Sequence, residues 1–365
     1  MTMQLTEQAA LTLRGLYGRR GYAQYKMSKF EEYDLYARNK DFLISDSVIT
    51  FTDPSGKLMA LKPDVTLSIV KNTADRPDAV QKLYYHENVY RPAKGSRSFK
   101  EIMQVGLECL GAIDDFCITE VLTLALESLS AMSGEAVLDI SHLGLLSEVM
   151  DSLNIPDHRR SELVKFISQK NTHELTALCA ELDVENAEVL RGLISTTGAP
   201  AQVLPRLESL LAGLVKADTW NRFRAVIESL GDAPILRIDF SVVDDLHYYN
   251  GFVFKGFLRG LPGSVLSGGQ YDKLMQKMKR SAGAIGFAVY LDLLERLEQP
   301  ADGFDVDTVL LYDANMPLVR INQAVAALTE TYPSVLAQPS VPEGLRYRQL
   351  LKLTDSEVQT IEKNA

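Results

Sequence analysis

Two segments of the chain concentrate side chains that can bind a charged ligand. Residues 84–111 (YYHENVYRPAKGSRSFKEIMQVGLECLG) place Arg91 in a predicted β-hairpin, and residues 242–297 place Gly268 and Gly269 at a predicted strand end before a helix. An arginine offers a planar, permanently charged fork for phosphate or carboxylate, and glycines allow a backbone to approach a ligand closely. Together they predict a pocket for a phosphate-bearing ligand, although each alone also fits a surface arginine or a tight turn.

Two hairpins are expected to position these residues. The stretch 46–52 turns at Asp53-Pro54-Ser55-Gly56 and returns at 57–63, with proline and glycine supplying the turn. The next ten residues favour a helix. Strands at 84–91 and 101–111 then form the second hairpin, and an amphipathic helix begins at Asp115.

The middle and the end of the chain differ in character. Leucine-rich segments across 143–232 predict an all-helical insertion. Beyond it the pattern predicts strands at 235–243 and 251–259, helices at 270–279 and 287–298, a linker at 298–305 and a short C-terminal α/β segment at 305–365.

Composition excludes several classes of protein. With 365 residues, of which 46% are hydrophobic and 24% charged, the chain has the make-up of a folded protein of two or three units. No stretch approaches the roughly 20 apolar residues of a membrane helix, and the N-terminus lacks a signal-peptide pattern. Cys109, Cys117 and Cys179 form no C-x-x-C pair, which argues against a disulfide framework or a zinc site. We therefore expect a cytoplasmic protein with no metal and no cofactor.

The net charge of −10 argues against a general nucleic-acid binder. Such proteins neutralise phosphates with clustered lysine and arginine. One local basic cluster stands out, Arg91, Lys94, Arg97 and Lys100, and it fits a solvated loop equally well.

Four runs, taken in order, resemble histidyl-tRNA synthetases. They are ALKPDVT at 60–66, VYR…MQVGLE at 89–108, HYYNG at 247–251 and GGQYDKL…GFAVYLDLL at 268–294. The resemblance implies an α+β fold with a class II synthetase core, an antiparallel sheet flanked by helices that usually forms a homodimer. Residues 1–142 and 233–298 would form this core, with the insertion at 143–232 and a shortened C-terminal remnant at 305–365.

The resemblance also implies a pocket for histidine or a similar ligand. Asp64 and Thr66 match the E and T of the family's L-R-P-E-x-T run, and Gln104 and Glu108 match its Q-x-G-x-E run. Tyr248 and Tyr249 match its paired tyrosines. Carboxylates and a glutamine suit an ammonium and an imidazole N–H. For Asp64, capping of the following helix is an equally good interpretation.

Several charges that the family uses for adenylate formation are absent. Asp244 stands where a catalytic arginine is expected, and Leu293 stands where the motif-3 arginine clamps ATP. Arg91 survives as a vestigial nucleotide or phosphate site, but Ala93 replaces the nearby glutamate and Ser28 replaces the motif-1 proline. Removing one preorganised charge costs about 2.7–4 kcal/mol of transition-state stabilisation. The losses predict that the chain has no catalytic residues and does not adenylate histidine.

This combination resembles the regulatory subunits of ATP phosphoribosyltransferase. That family implies a non-catalytic subunit that joins the short catalytic subunit in the first step of histidine biosynthesis, activates it and mediates histidine feedback. It implies a homodimer within a larger hetero-oligomer, with no tRNA and no membrane as partners. Feedback histidine would bind either the old pocket or the interface between subunits. The alternatives are a synthetase-derived amino-acid sensor, a regulator of another partner, or a divergent histidyl-tRNA synthetase.

Overall fold

A computed structural model describes residues 5–43, 48–92, 98–243, 248–296 and 304–364. The chain divides into two compact units, one spanning Ala9–Arg296 and one containing residues 304–364. The strands are β1 Ala23–Gln24, β2 Phe30–Glu32, β3 Thr50–Thr52, β4 Leu58–Leu61, β5 Val80–Pro92, β6 Phe99–Gly111, β7 Ala136–His142, β8 Leu236–Ile238, β9 Phe252–Leu258, β10 Ser264–Gln270, β11 Gly283–Tyr290, β12 Val306–Leu311, β13 Val335–Gln338, β14 Tyr347–Leu353 and β15 Val358–Lys363.

Twelve α-helices are described along the chain. They are α1 Leu5–Arg19, α2 Tyr33–Ala37, α3 Thr66–Asn72, α4 Asp115–Met132, α5 Leu143–Ser152, α6 Asp157–Ser168, α7 Thr172–Glu181, α8 Glu188–Ser195, α9 Pro200–Leu211, α10 Ala217–Ser229, α11 Asp272–Lys277 and α12 Leu318–Thr331, with 3₁₀ helices at Lys40–Phe42 and Leu291–Arg296. None of the helices in the described parts of the chain has the length and apolar character to cross a membrane.

An eight-stranded sheet forms the centre of the larger unit, in the order β1-β5-β6-β11-β10-β9-β7-β8. Its five central pairings are antiparallel, and the two outermost ones, β1 with β5 and β7 with β8, are parallel. Helix α4 covers one face, where a side chain on Gly256 would lie 2.7 Å from Leu129. The predicted fold class, an antiparallel sheet flanked by helices, is confirmed.

The second predicted hairpin is longer than its apolar pattern indicated. Strands β5 and β6 pair from Val80 opposite Gly111 to Pro92 opposite Phe99. Residues 93–97 of its loop, which include Ala93, Lys94 and Arg97, lie outside the described residues. The first hairpin also forms, as β3 and β4, and β2 joins it in a separate three-stranded sheet.

The predicted helix at 287–298 is wrong. Residues up to Tyr290 belong to β11, a central strand whose pairs with β6 and β10 satisfy its backbone on both sides. Among the described residues of this stretch, only Leu291–Arg296 are helical, and they form a 3₁₀ helix. The apolar residues of this stretch recur at a spacing that fits a helix, but a strand covered on both faces loses its alternation of apolar and polar residues. The helix predicted at 270–279 is likewise shorter, because its first residue closes β10.

Helices α5–α10 occupy the leucine-rich stretch between β7 and β8. Each buries leucine or valine side chains on one face, for example Leu145 and Leu146 of α5 and Leu163 of α6. The strand predicted at 235–243 is shorter, since β8 ends at Ile238. The division of the chain into domains at 143 and 232 stays a prediction.

The C-terminal unit is a four-stranded sheet in the order β13-β12-β14-β15. Strand β12 runs parallel to β13 and β14, and β15 is an antiparallel edge strand. Ile321, Val325 and Leu328 of α12 pack against Leu310, Leu351 and Leu353 of the sheet. The α/β character expected for this segment is present.

Candidate functional site

Register across the central sheet brings polar residues from distant segments onto one face. Gln104 and Glu108 of β6 point the same way because side chains alternate along a strand. Glu108 lies opposite Gly286 of β11, and Gln104 lies opposite Tyr290. Tyr85 and Arg91 of β5 share this face through the pairing of Tyr85 with Gly106.

This face forms the floor of a cavity of about 460 Å³. Every residue predicted for the ligand pocket and the vestigial phosphate site lines it, namely Asp64, Thr66, Arg91, Gln104, Glu108, Tyr248 and Tyr249. Of the two positions where an arginine is expected, Leu293 lies in the 3₁₀ helix that follows β11, and it does not line the cavity. Asp244 lies outside the described residues.

Glu108 lies at the bottom of the cavity and is 2% exposed. The Thr66 hydroxyl donates a hydrogen bond of 2.7 Å to its Oε1, and the Tyr271 hydroxyl donates one of 2.5 Å to its Oε2. Burial raises the pKa of this carboxyl to about 8, although the two hydrogen bonds oppose the shift. Near neutral pH the group is therefore mostly a neutral acid that a positively charged ligand can ionise.

Small residues in the floor make room for this arrangement. A side chain on Gly286 would lie 1.8 Å from Glu108 Oε2, and one on Gly106 would lie 2.4 Å from the Tyr85 hydroxyl. At Gly269 it would meet the Tyr249 ring at 2.7 Å. The glycines thus admit protein side chains over the sheet, whereas Gly268 and Gly269 had been predicted to admit a ligand.

Asp64 reaches the cavity from the segment before α3. Its Oδ1 accepts the Leu67 N–H at 2.8 Å, so the carboxylate does cap the start of this helix. Burial raises its pKa, and the neighbouring Arg91 works against that shift. The Arg91 Nε–H donates to the Pro63 carbonyl at 3.0 Å, which holds the guanidinium beside this segment.

Aromatic side chains form one wall of the cavity. The Tyr248 ring lies 4.5 Å from that of Tyr249, 6.0 Å from Tyr271 and 5.6 Å from Phe42 between centroids. Burial raises the pKa of Tyr248 and Tyr271 well above the ordinary range, so both hydroxyls stay protonated and can donate hydrogen bonds.

Sequence reasoning missed eight polar or aromatic residues of the lining: Phe42, Tyr85, Lys255, Ser264, Ser267, Tyr271, Phe287 and Tyr290. Tyr271 lies two residues after the Gly-Gly run, and Tyr85 lies on the same face of β5 as Arg91, so both carried a local signal. Lys255 and Ser267 face each other across β9 and β10, a pairing that only the register reveals.

The arrangement suits recognition of a small polar ligand. Carboxyl groups, a buried glutamine and protonated tyrosines can satisfy an ammonium and an imidazole. Among the described residues of the lining, Arg91 and Lys255 are the cations. No group of three or more histidine, cysteine, aspartate or glutamate residues in the described ranges could hold a metal ion.

Comparison with known proteins gives a consistent family. Residues 1–294 match the family model described as histidyl-tRNA synthetase. A curated relative from Oceanobacillus iheyensis, the "ATP phosphoribosyltransferase regulatory subunit", is 25% identical over 290 residues, which cover 77% of this chain and 71% of that protein.

Solved structures share the fold. A protein from Bacillus halodurans described as an ATP phosphoribosyltransferase regulatory subunit/histidyl-tRNA synthetase superimposes with a TM-score of 0.76 at 23% identity, covering 95% of this chain and 93% of that one. A chain of the ATP phosphoribosyl transferase (HisG:HisZ) complex from Thermotoga maritima has a TM-score of 0.63 at 18% identity, covering 80% and 98%. At these identities the likeness concerns the fold.

Proposed function

Because the chain belongs to the histidyl-tRNA synthetase family, we propose that it is the regulatory subunit of ATP phosphoribosyltransferase in the first step of histidine biosynthesis. The observation that carries the proposal is the name of its curated relative, which this chain matches over 77% of its length. The cavity agrees with that role, since residues that can grip an amino acid line it while Leu293 replaces a cation needed to activate one.

The partner in this proposal is the short catalytic subunit of the same enzyme. This chain would activate it and transmit histidine feedback. The test is co-purification of the two chains, with phosphoribosyl transfer measured with and without this chain. Activity of the catalytic subunit that is unchanged by a tenfold excess of this chain would contradict the proposal and favour a sensor that serves another partner.

The proposal includes catalytic silence of the isolated chain. Its support is the replacement of two expected arginines by Asp244 and Leu293. Losing one such preorganised charge costs about 2.7–4 kcal/mol of transition-state stabilisation. Histidine-dependent exchange of pyrophosphate into ATP by the purified chain would instead favour a divergent synthetase.

We place histidine in the cavity over Glu108. Polar groups at this depth are costly to bury without partners, and the cavity supplies room and hydrogen-bonding groups for a small ligand. Calorimetry of the isolated chain should show heat with histidine that Glu108→Ala abolishes. If the isolated chain gives no heat while the assembled complex is still inhibited by histidine, feedback histidine binds at the interface between subunits.

We also propose a homodimer through residues 26–38 and the adjoining three-stranded sheet. Phe30 and Phe51 are 48% and 37% exposed on one face of this sheet, with ring centroids 5.2 Å apart. Exposed aromatic residues of this kind are typical of protein interfaces. Ser28, in place of the family's proline, lies in the same segment.

We also propose how the chain is divided into domains, where the protein acts and that it does not bind tRNA. Residues 1–142 and 233–298 form the synthetase-like core, 143–232 an insertion and 305–365 a C-terminal segment. The protein acts in the cytoplasm and does not bind tRNA, in keeping with its net charge of −10. Filter binding with histidine tRNA at low and physiological salt tests the last point.

A further inference from the structure

Glu31 of β2 binds a group of side chains on one side of helix α3. The Ser68 hydroxyl donates to Glu31 Oε1 at 2.9 Å, and the Lys71 ammonium donates to Oε2 at 2.7 Å. The Asn72 amide donates to Oε1 at 3.4 Å and to the Ser68 carbonyl at 2.9 Å. Residues three and four positions apart are neighbours on one side of an α-helix. A single carboxylate therefore holds this side of α3.

The contact is well buried. The side chain of Glu31 is 11% exposed, and Ser68 is fully buried. Glu31 lies opposite Ala60 of β4, which is also fully buried, so it points to the core while its neighbour Phe30 points outward. A buried hydroxyl that loses its acceptor costs free energy. Glu31 is thus an anchor for α3 and not a solvated surface charge.

The opposite side of the same helix carries residues of the ligand cavity. Thr66 precedes Ser68 by two residues, which correspond to about 200° around an α-helix. Thr66 therefore faces away from Glu31, and its hydroxyl donates to Glu108 Oε1 at 2.7 Å. Asp64, just before the helix, lines the cavity together with Thr66.

Directional contacts matter for the rotation of this helix because it is short. Helix α3 has seven residues, and its apolar side chains Leu67, Ile69 and Val70 are buried in the core. Hydrophobic burial is non-directional, whereas a hydrogen bond weakens steeply as its angle departs from linear. The contacts with Glu31 therefore define the rotation of α3 more sharply than its apolar packing does.

We propose that Glu31 is a positioning residue for the ligand cavity. By holding one side of α3, it directs the Thr66 hydroxyl and the Asp64 carboxyl toward the ligand on the other side. This inference rests on the proposed function of the cavity as an amino-acid site. Glu31 is outside the cavity lining, so it acts through α3 and does not touch the ligand.

The test measures histidine affinity by calorimetry on the full chain, on Glu31→Ala and on Glu31→Gln. A hydrogen bond lost between cavity and ligand corresponds to about 3- to 10-fold in Kd. We expect Glu31→Ala to weaken histidine binding by about this factor. Glu31→Gln should stay near wild type, because it keeps an oxygen acceptor for Ser68 and loses only the ion pair with the partly exposed Lys71.

A double-mutant cycle shows whether Glu31 acts through Thr66. Thr66→Val removes the hydroxyl that Glu31 would position, so adding Glu31→Ala to Thr66→Val should change Kd less than Glu31→Ala does in the wild type. If Glu31→Ala does not fold, Ser68→Ala takes its place in the cycle. Ser68→Ala removes one of the three donors to Glu31 and should weaken histidine binding in the same direction.

Glu120→Ala is the matched control for general destabilisation. The Glu120 side chain is 7% exposed and pairs with the Lys82 ammonium at 2.6 Å. Lys82 lies opposite Cys109, on the face of the sheet away from Glu108. Glu120→Ala should therefore lower stability and leave the Kd for histidine unchanged.

Several results would overturn the inference and leave the amino-acid site standing. They are wild-type affinity in Glu31→Ala or in its substitute Ser68→Ala, equal weakening by Glu120→Ala, and strictly additive effects in the cycle with Thr66→Val. No heat from histidine with the wild-type chain would overturn both the site and the role of Glu31.

Discussion

Glu108 has several buried partners in the floor of the cavity, and a ligand-binding role is proposed for it. It is enclosed by Thr66, Tyr271 and the floor at Gly286, so its charged form is poorly solvated in the free protein. Burial of a carboxyl favours the neutral form, and a nearby ammonium favours the charged one. An amine ligand would therefore take up a site that the empty protein keeps neutral.

The first prediction concerns stability and pH at this residue. The pKa of Glu108 is raised from an ordinary 4.5 to about 8, so the folded chain holds one more proton than the unfolded chain between those values. Ionisation of this carboxyl therefore lowers the free energy of unfolding as pH rises from about 5 to 8. Above the pKa of the folded state it causes no further change. Between about pH 5 and 8, the free energy of unfolding of Glu108→Gln should rise by a few kcal/mol relative to that of the wild type, as measured by urea unfolding.

Comparing the two proteins isolates this group, because Asp64, whose pKa is also raised by burial in the wild-type chain, is present in both. Curves of unfolding free energy against pH that run parallel for wild type and Glu108→Gln would contradict the prediction.

The second prediction concerns the buried ion pair of Lys62 and Glu87. The side chain of Lys62 is 1% exposed and that of Glu87 is 16% exposed, and the ammonium donates to Glu87 Oε2. Glu87→Ala would leave the lysine buried without its partner and should cost about 3–5 kcal/mol. Lys62→Met should cost less, because Glu87 would still accept the hydrogen bond from the Met27 N–H at 3.4 Å and would keep some contact with water.

Urea unfolding of both variants measures the difference. Glu32→Ala, which removes one end of the exposed pair with Lys57, is the matched control and should change stability little. Equal decreases in the free energy of unfolding in Glu87→Ala and Lys62→Met would argue against an energetic penalty for the unpaired buried lysine.

At the level of elements, prediction from sequence worked where a polar loop separates two strands or where apolar residues recur at helical spacing, even though residues 104–111 of β6 are buried on both faces. The hairpin β5–β6 and helix α4 carry clear periodic patterns, and both form. Strand β11 is buried on both faces, from Ala284 to Phe287, so no alternation distinguished it from a helix. Three of the motif matches named residues that line the cavity, whereas Lys255, Ser267 and Tyr290 depend on register between strands.

The third prediction tests the floor of the cavity at β11. In Gly286→Ala the new carbon would lie 1.8 Å from Glu108 Oε2 and 2.4 Å from the Leu107 carbonyl oxygen, and the latter belongs to the backbone. Glu108 and the strand must move to relieve these two close contacts, which should lower the free energy of unfolding by about 1–3 kcal/mol. The same movement should weaken histidine binding. Gly263→Ala, where the new carbon meets nothing within 4 Å, is the control.

Thermal unfolding and calorimetry with histidine give the two readouts. Wild-type stability and wild-type affinity in Gly286→Ala would show that the floor tolerates an added methyl group and that Glu108 does not depend on this glycine.

The whole molecule assembles its site from segments far apart in the chain. Residues near 64, 108, 248, 271 and 286 meet over one sheet face. The three-stranded sheet adds a second feature at this scale. Ala60 of β4 is fully buried in the core, whereas Phe30, Phe51 and Met59 occupy the opposite face. This outer face is available for another copy of the chain.

The last prediction follows from that face. Replacing Phe30 and Phe51 together by serine removes its two exposed rings and should shift a dimer toward monomer at micromolar concentration, because aromatic residues carry much of the energy of such interfaces. The core should stay folded, since both rings are partly exposed already, at 48% and 37%. Light scattering measures the mass, and circular dichroism checks the fold. Leu318→Ser, at a residue 77% exposed in the C-terminal unit, is the matched control and should leave the mass unchanged. A double variant that remains a dimer at the lowest measurable concentration would place the interface on another face of the molecule.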